Sequence, residues 1–332
     1  MLLTYPDAGP WLFVPMAPIV CESGFATSGI GRSVHRTDGY IALMKTGSRL
    51  HYQLHISDPI PFSNSETAPN GERQMFQYIA TTLISGDRGA VLVDPPMTTE
   101  QTAKVINWVE SSDKRLEHIF ITHGHGDHWF GTGLLLERFP DVTVLAAAGT
   151  IEVMHYHASP EVRAAVWDRL FPGQIPAASV VATTPLNNAF DLEGSELRII
   201  EVGHTDTDNT TVLHVPSIGL VVAGDAVYNG VHQYLVEGGN GGVQKWISAL
   251  DAIAALQPRK VVASHKNPAL DDDPAAIEET RTYLQHAEHL SRTCKSAVEF
   301  YNAMLELYPE RLNPTALWFW GARGLFPATE AR

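Results

Sequence analysis

Thr122-His123-Gly124-His125-Gly126-Asp127-His128 follows directly on the apolar run His118-Ile119-Phe120-Ile121, and this junction decides how the chain is read. An apolar run that stops at a glycine-spaced loop is a strand end, and His123, His125, Asp127 and His128 put four metal donors on that one loop. Imidazole and carboxylate together suit borderline cations such as Zn²⁺, Mn²⁺ or Fe²⁺. Three imidazoles packed this closely would repel as cations and gain little as neutral groups, so a purely structural reason for the pattern is hard to find.

The same design recurs three times downstream. His204 follows Ile200-Glu201-Val202-Gly203, Asp225 follows Val221-Val222-Ala223-Gly224, and His265 follows Val261-Val262-Ala263-Ser264. Each time an apolar strand stops, a small residue permits a tight turn, and the next side chain is a donor at the carboxyl edge of a sheet. With the first loop this makes seven donors, enough for two metals with a bridging carboxylate.

Around these junctions the pattern is α/β. The segments 51–56, 76–84, 89–93, 119–122 and 142–145 read as strands, with a hairpin at Gly86-Asp87-Arg88, and a further strand is expected at Tyr40 to Met44. Thr98 followed by Gln101 is a capping-box start for a helix carrying Val105, Ile106 and Val109, and Leu134 to Phe139 reads as the next helix. Strands at 197–202, 211–215, 219–223 and 260–263 follow, with a helix from Gln244 to Leu256 before the last, so helices should cover the sheet. The helical stretch from Thr150 to Ala178 interrupts this rhythm and carries His155, Tyr156, His157, Trp167 and Phe171. It either caps a pocket or buries its own aromatics against the scaffold. Asp273-Pro274 opens a helix with Ile277, Leu284, Ala287, Cys294 and Val298 on one face, which makes Cys294 a buried thiol. The aromatic tail Leu317-Trp318-Phe319-Trp320 either folds back or makes a homo-oligomer contact. The organisation expected is an N-terminal extension and strands over 1–70, a core over 71–270 with its insertion at 150–178, and a helical C-terminal extension over 271–332.

With 332 residues, 44% hydrophobic and 18% charged, the chain has the balance of an ordinary globular protein. A net charge of −14, from 23 basic against 37 acidic residues, gives no footprint for nucleic acid or an anionic membrane, so a small-molecule substrate is expected. Cys21 and Cys294 are the two cysteines, too few for a disulfide framework, and the opening Trp11-Leu12-Phe13-Val14 is broken by Pro15 and Pro18 without a basic flank. A cytoplasmic protein is expected.

Taken together, the chain resembles the metallo-β-lactamase fold superfamily from about Phe76 to Lys266. His-Gly-His-Gly-Asp-His corresponds to the family's His-x-His-x-Asp-His loop, Gly203-His204-Thr205 to its second histidine, Gly224-Asp225 to its bridging aspartate, His265 to its last histidine, and Asp94 to its opening aspartate. The resemblance implies an αββα sandwich with a dinuclear site at the sheet edge. One metal would be held by His123, His125 and His204, the other by Asp127, His128 and His265, with Asp225 and a hydroxide bridging them and Asp94 orienting ligands from behind. Two divalent ions, Zn²⁺ first and Fe or Mn as alternatives, are the implied cofactors. Ser264 stands where the family usually has Gly.

The bridging aspartate sets the chain apart from true β-lactamases of this fold, which generally lack it. Tyr228, three residues after Asp225, resembles the tyrosine that lactonases of the fold use to bind a substrate carbonyl; a half-buried aromatic after a strand is the plain alternative. The implied chemistry is attack by a metal-bridging hydroxide on a lactone or other carboxylic ester, with Asp127 passing a proton to the leaving group and Tyr228 assisting the carbonyl. A phosphotriester, thioester or lactam on the same metal site is the alternative.

Overall fold

Apolar strands that alternate between two buried faces set the architecture. The computed structural model describes residues 50–238 and 241–326, so the strand expected at Tyr40 to Met44 and Cys21 lie outside the described residues. Among the described residues, ten strands form two five-stranded sheets. The first, in spatial order, comprises β1 (His51–Ser57), β2 (Ile79–Ser85), β3 (Gly89–Val93), β4 (Arg115–Phe120) and β5 (Thr143–Leu145). The second runs β10 (Lys260–Ala263), β9 (Leu220–Gly224), β8 (Thr210–Val215), β7 (Ser195–Gly203) and β6 (Ala189–Leu192). Both are mixed. β2 and β3 form the hairpin and β3–β4–β5 are parallel, while β6 to β9 run antiparallel and β10 joins β9 in parallel.

β9 shows why the layers stack. Its residues are all buried, and because side chains alternate across a strand, Val221 and Ala223 face a helical layer while Leu220 and Val222 face the other sheet. Between the sheets, Ile84, Val91, Val93 and Phe120 of the first meet Leu197, Ile199, Leu213, Val222 and Val262 of the second. On the outer face of the second sheet, Trp246, Leu250 and Ile253 of the helix Gly242–Ala255 pack with Tyr283 and Leu284 of the helix Ala275–Thr293 and with Phe300, Tyr301 and Met304 of the helix Ala297–Leu307. On the first sheet, the helix Thr99–Ser111 buries Val105 and Val109, and Thr98 caps it by accepting from the Gln101 amide at 3.2 Å. Two mixed sheets flanked by helices are the αββα sandwich expected, with helices at the C-terminal end of the described chain.

One helix differs from the sequence reading, and the aromatic tail takes the first of its two expected courses. The long C-terminal helix breaks at Cys294, and Ser296 caps a new helix by accepting from the Glu299 amide, so Cys294 is a half-buried C-cap and Val298 is exposed. The aromatic tail turns back onto the domain: Phe319 is buried, Trp318 meets Tyr301, and Trp320 meets Phe62 and Tyr234. No helix among the described residues is long and apolar enough to cross a membrane.

The sheets are stitched together at one end, which is where the donors emerge. Thr211 donates from its amide and its hydroxyl to the Thr122 carbonyl at 2.9 and 2.7 Å, and the Ala80 amide donates to the Ser264 carbonyl at 2.7 Å. Thr122 and Ser264 immediately precede His123 and His265, so these bonds fix two donor loops against each other across the sandwich.

Candidate metal centre

The loop after β4 leaves its strand at Thr122 and passes through a short 3₁₀ turn, Gly126–His128, which turns Asp127 and His128 inward beside His123 and His125. Trp129, fully buried, clamps the loop by donating from Nε1 to the Gly124 carbonyl at 3.0 Å. Gly124 is required by packing: a Cβ there would lie 2.4 Å from Cβ of Val153, on the helix Ala148–Ala158 that begins the insertion. The missing side chain therefore lets the insertion touch the donor loop.

Six of the seven expected donors converge with one further carboxylate. His123, His125 and Asp206 form one group with ligand atoms in mutual reach, His123, His128 and Asp225 a second, and Asp127, His128 and His265 a third. All seven side chains are buried. Asp225 Oδ2 lies 3.1 Å from His265 Nε2 and its Oδ1 3.6 Å from His128 Nε2, while Asp127 Oδ2 lies 3.0 Å from His128 Nε2 and 3.4 Å from His265 Nε2. Asp206 Oδ2 lies 3.0 Å from His125 Nδ1 and 3.6 Å from His123 Nε2.

His204 is not brought into this cluster. Its Nδ1 pairs with Asp208 at 2.7 Å and its Nε2 with the Glu237 carbonyl at 3.2 Å, so both ring nitrogens are engaged elsewhere. The backbone explains this. The pairing of β7 with β8 shifts register between Glu201 and Gly203, and Gly203 is left-handed at φ +86°, so the chain leaves its strand through a bulge that re-aims the next side chains. Asp206, not His204, then reaches inward, and the Thr205 hydroxyl holds its Oδ1 at 2.8 Å.

Asp94 lies behind the donors. It ends β3 in the left-handed region at φ +52°, unusual for a residue with a side chain, and three hydrogen bonds hold it there. Its carboxylate accepts from the Thr122 amide at 2.9 Å, the Thr122 hydroxyl at 2.8 Å and the Ser264 hydroxyl at 2.9 Å. Ser264 thus puts its extra hydroxyl onto Asp94. Because the Thr122 hydroxyl spends its proton on Asp94, it accepts from His123 Nδ1, 3.0 Å away, which leaves Nε2 of His123 for a cation. His265 is fixed the same way: its Nδ1 lies 2.6 Å from the Tyr78 carbonyl, which can only accept, so Nε2 faces the cluster.

Histidines and carboxylates of the cluster face one another, with Glu237 beside His125 and Asp94 beside His128. Burial works to lower the His265 pKa, but attraction to Asp225 and Asp127 lifts it to about 10, and burial is likewise outweighed at His125 and His128, both raised well above the usual value. Burial followed by repulsion from His128 drops His123 to about 4. Burial disfavours the charged carboxylates, yet their histidine partners hold Asp127 and Asp225 well below the usual range and Asp206 below it. The neighbouring carboxylates, Glu237 beside His125 among them, thus favour protons on these imidazoles, a charge that bound cations would supply instead. The donors fit metal ions on a second observation. His123 Nε2, both nitrogens of His128, Asp206 Oδ2 and Asp225 Oδ1 are buried and make no hydrogen bond of good geometry, a concentration of unsatisfied polar atoms that folded proteins avoid.

Tyr228 is fully buried, donates to Asp225 Oδ2 at 3.0 Å and stacks on His265 at 5.7 Å between ring centres. Burial and the Asp225 charge raise its pKa well above that of a free phenol. The insertion supplies a group that the sequence did not single out as functional. The His157 ring lies 5.2 Å from that of His125, and Trp167 Nε1 donates to His157 Nδ1 at 3.1 Å. Asp206 was also missed. The run Gly203-His204-Thr205-Asp206-Thr207-Asp208 offers three donors at one strand end, and composition alone does not say which one turns inward.

The family model of the metallo-beta-lactamase superfamily matches residues 76–265. Among curated proteins, the hydroxyacylglutathione hydrolase of Prochlorococcus marinus (strain MIT 9312) is 25% identical over 177 residues, 53% of this chain and 59% of that protein. That of Parasynechococcus marenigrum (strain WH8102) is 42% identical over 64 residues, 19% of this chain and 24% of that protein. The chain thus spans less than two thirds of the length of these relatives. Among solved structures, a metallo-beta-lactamase family protein from Thermus thermophilus superimposes with a TM-score of 0.55 at 20% identity, covering 82% of this chain and 91% of that one. A metallo-beta-lactamase from Pontibacter korlensis gives 0.50 at 17% identity, over 70% and 99%. At these identities the structures establish a shared fold.

Proposed function

The chain belongs to the metallo-beta-lactamase superfamily, and from that premise we propose that it is a dinuclear metal-dependent hydrolase of acyl compounds, cleaving a thioester or carboxylic ester, lactones included. The observation that carries the proposal is the buried cluster of four histidines and three aspartates at the stitched end of the sandwich, with five of its ligand atoms unsatisfied.

His123 and His125 would hold one ion and Asp127, His128 and His265 the other, with Asp225 between them. Divalent cations at such donors polarise a carbonyl and lower the pKa of water toward neutrality, which provides a nucleophile without an activated Ser or Cys. Zn²⁺ suits the imidazoles, and Fe²⁺ or Mn²⁺ suits the carboxylates.

The chain's own groups do the rest. Asp94, through Thr122 and Ser264, holds His123 and the turn before His265 in place. Asp127 turns Oδ2 to His128 and His265, so Oδ1 is the oxygen that takes up a proton and delivers it to the departing alcohol or thiol. Tyr228 donates its hydroxyl to Asp225, which supports a role in orienting the central carboxylate. Within acyl substrates, the names of the curated relatives favour a thioester.

The test is a matched panel on metal-reloaded protein: a hydroxyacyl thioester of glutathione, a simple thioester, lactones, carboxylic esters, a phosphotriester and a β-lactam. Thioester or ester turnover that is abolished by chelation and restored by metal supports the proposal. Dominant phosphotriester or β-lactam turnover contradicts it.

A further inference from the structure

We infer that Asp206, and not His204, is the third protein ligand of the ion held by His123 and His125, so that this ion sits among two imidazoles and a carboxylate. The inference deepens the metal-dependent reading above and rests on it. Three independent features of the structure carry it.

The first is the state of Asp206. It is 1% exposed, its Oδ1 is held by the Thr205 hydroxyl, and its Oδ2 faces His125 Nδ1 at 3.0 Å and His123 Nε2 at 3.6 Å with no hydrogen bond of good geometry. A buried carboxylate with one oxygen anchored and the other aimed between two imidazole nitrogens is prepared for a cation.

The second is that His204 has a seat of its own. Its two nitrogens are taken by Asp208 and the Glu237 carbonyl, and a Cβ added at Gly242 would lie 2.8 Å from its Nε2. The glycine at the start of the helix Gly242–Ala255 is what leaves room for the ring.

The third is the backbone. The chain leaves β7 through the register shift between Glu201 and Gly203 and the left-handed Gly203, and along that path Asp206 is the side chain that turns inward. The Thr210 hydroxyl, 2.8 Å from that of Thr205 and bonded to the Thr207 carbonyl, closes the turn around Asp206.

Replacing an imidazole by a carboxylate has a chemical consequence. The cluster then carries three carboxylates against two dications, and the ion between His123, His125 and Asp206 has a harder donor set, which moves its preference from Zn²⁺ toward Mn²⁺ and Fe²⁺.

The experiment uses the full chain, stripped with a chelator and reloaded with Zn²⁺ or Mn²⁺ alone, with metal per chain measured by elemental analysis and affinity by competition with a chromophoric chelator. Wild type and His204→Gln should each bind two ions with matching affinities. Asp206→Asn should lose one ion, or bind it with a loss beyond the ~10–100-fold typical of residues that only orient ligands. Asp206→His should keep two ions and bind Zn²⁺ over Mn²⁺ more selectively than wild type. That variant decides the matter if Asp206→Asn does not fold, since unchanged selectivity would overturn the inference. Metal loss in His204→Gln as large as in Asp206→Asn, or larger, would overturn it as well. A wild-type chain that takes up no metal at all would overturn the metal-dependent reading together with this one, whereas two ions in wild type with one lost from His204→Gln would overturn this one alone.

Discussion

The two flanks of the cluster share one loop and differ in how their remaining donor arrives. On the Asp127–His128 flank, His265 leaves β10 through a turn whose Ser264 is pinned to Asp94 and whose carbonyl is pinned to Ala80, and the donor named by its motif is the donor in place. On the His123–His125 flank, β7 ends in a bulge and a left-handed glycine, and the carboxylate two residues beyond the motif histidine turns inward instead. Both strands shift register near this end, β10 between Val262 and Ala263 and β7 between Glu201 and Gly203, so what separates the flanks is the bracing of Ser264 by Asp94 and Ala80.

The largest expected effect joins the flanks. Asp225 faces His128 and His265 and groups with His123, so Asp225→Ala should remove the carboxylate between both halves. Turnover should fall by more than the ~10–100-fold typical of orienting residues, and elemental analysis should find fewer than two ions per chain. Full metal content with near-normal turnover would mean that the halves do not depend on each other.

Asp94→Ala comes next, because it releases Thr122 ahead of His123 and Ser264 ahead of His265 while leaving every ligand present. Metal affinity or activity should fall about 10–100-fold. Ser264→Gly, which removes only one hydroxyl bond, should cost about 1 kcal/mol or less of that support. Competition titrations on both variants would show how much of its metal affinity the braced flank owes to this carboxylate.

A smaller effect is expected where the insertion meets the other flank. Trp167→Phe keeps an aromatic ring and deletes the bond to His157, which lies against His125, so about 0.5–1.5 kcal/mol is at stake. Rates should change by different factors on different acyl substrates, with metal content unchanged. Equal losses on every substrate would assign the insertion a structural role alone.

A last prediction, on stability rather than on turnover, contrasts the cluster with a buried histidine outside it. Burial, followed by repulsion from Arg311, lowers the His232 pKa to about 3, and its Nδ1 lies 2.9 Å from the Tyr283 hydroxyl. Its folded pKa lies below the unfolded value of ~6.5, so the unfolded chain takes up the proton first. The stability linked to this group is complete above pH ~6.5 and is lost as pH falls toward about 3, by at most ~1.4 kcal/mol per pH unit. Urea unfolding at pH 7 and pH 5 should show a shallower acid loss in His232→Gln than in wild type.

Much of this was legible in the sequence for identifiable reasons. Short apolar runs ending at a small residue and a donor mark strand ends at one edge of a sheet, and β4, β9 and β10 end as their sequences indicate. Thr98 and Gln101 announced a helix start because the cap is local chemistry. What was not legible depended on contacts between distant segments. Asp206 could not be chosen over His204 or Asp208 because a bulge is a property of strand pairing, not of composition. Tyr228 pointing at Asp225 depends on its place in the core, and the nearness of His157 to His125 depends on Gly124 admitting the insertion. Cys294 looked buried because helical periodicity was carried across a break that Ser296 capping creates.

Whether this cluster holds two divalent ions can be read from anomalous diffraction of metal-reloaded crystals, recorded at the absorption edge of the ion used. Two peaks are expected in each chain, one among His123, His125 and Asp206 and one among Asp127, His128 and His265, with Asp225 beside both. A fully active protein showing a single peak, or none at these residues, would contradict it.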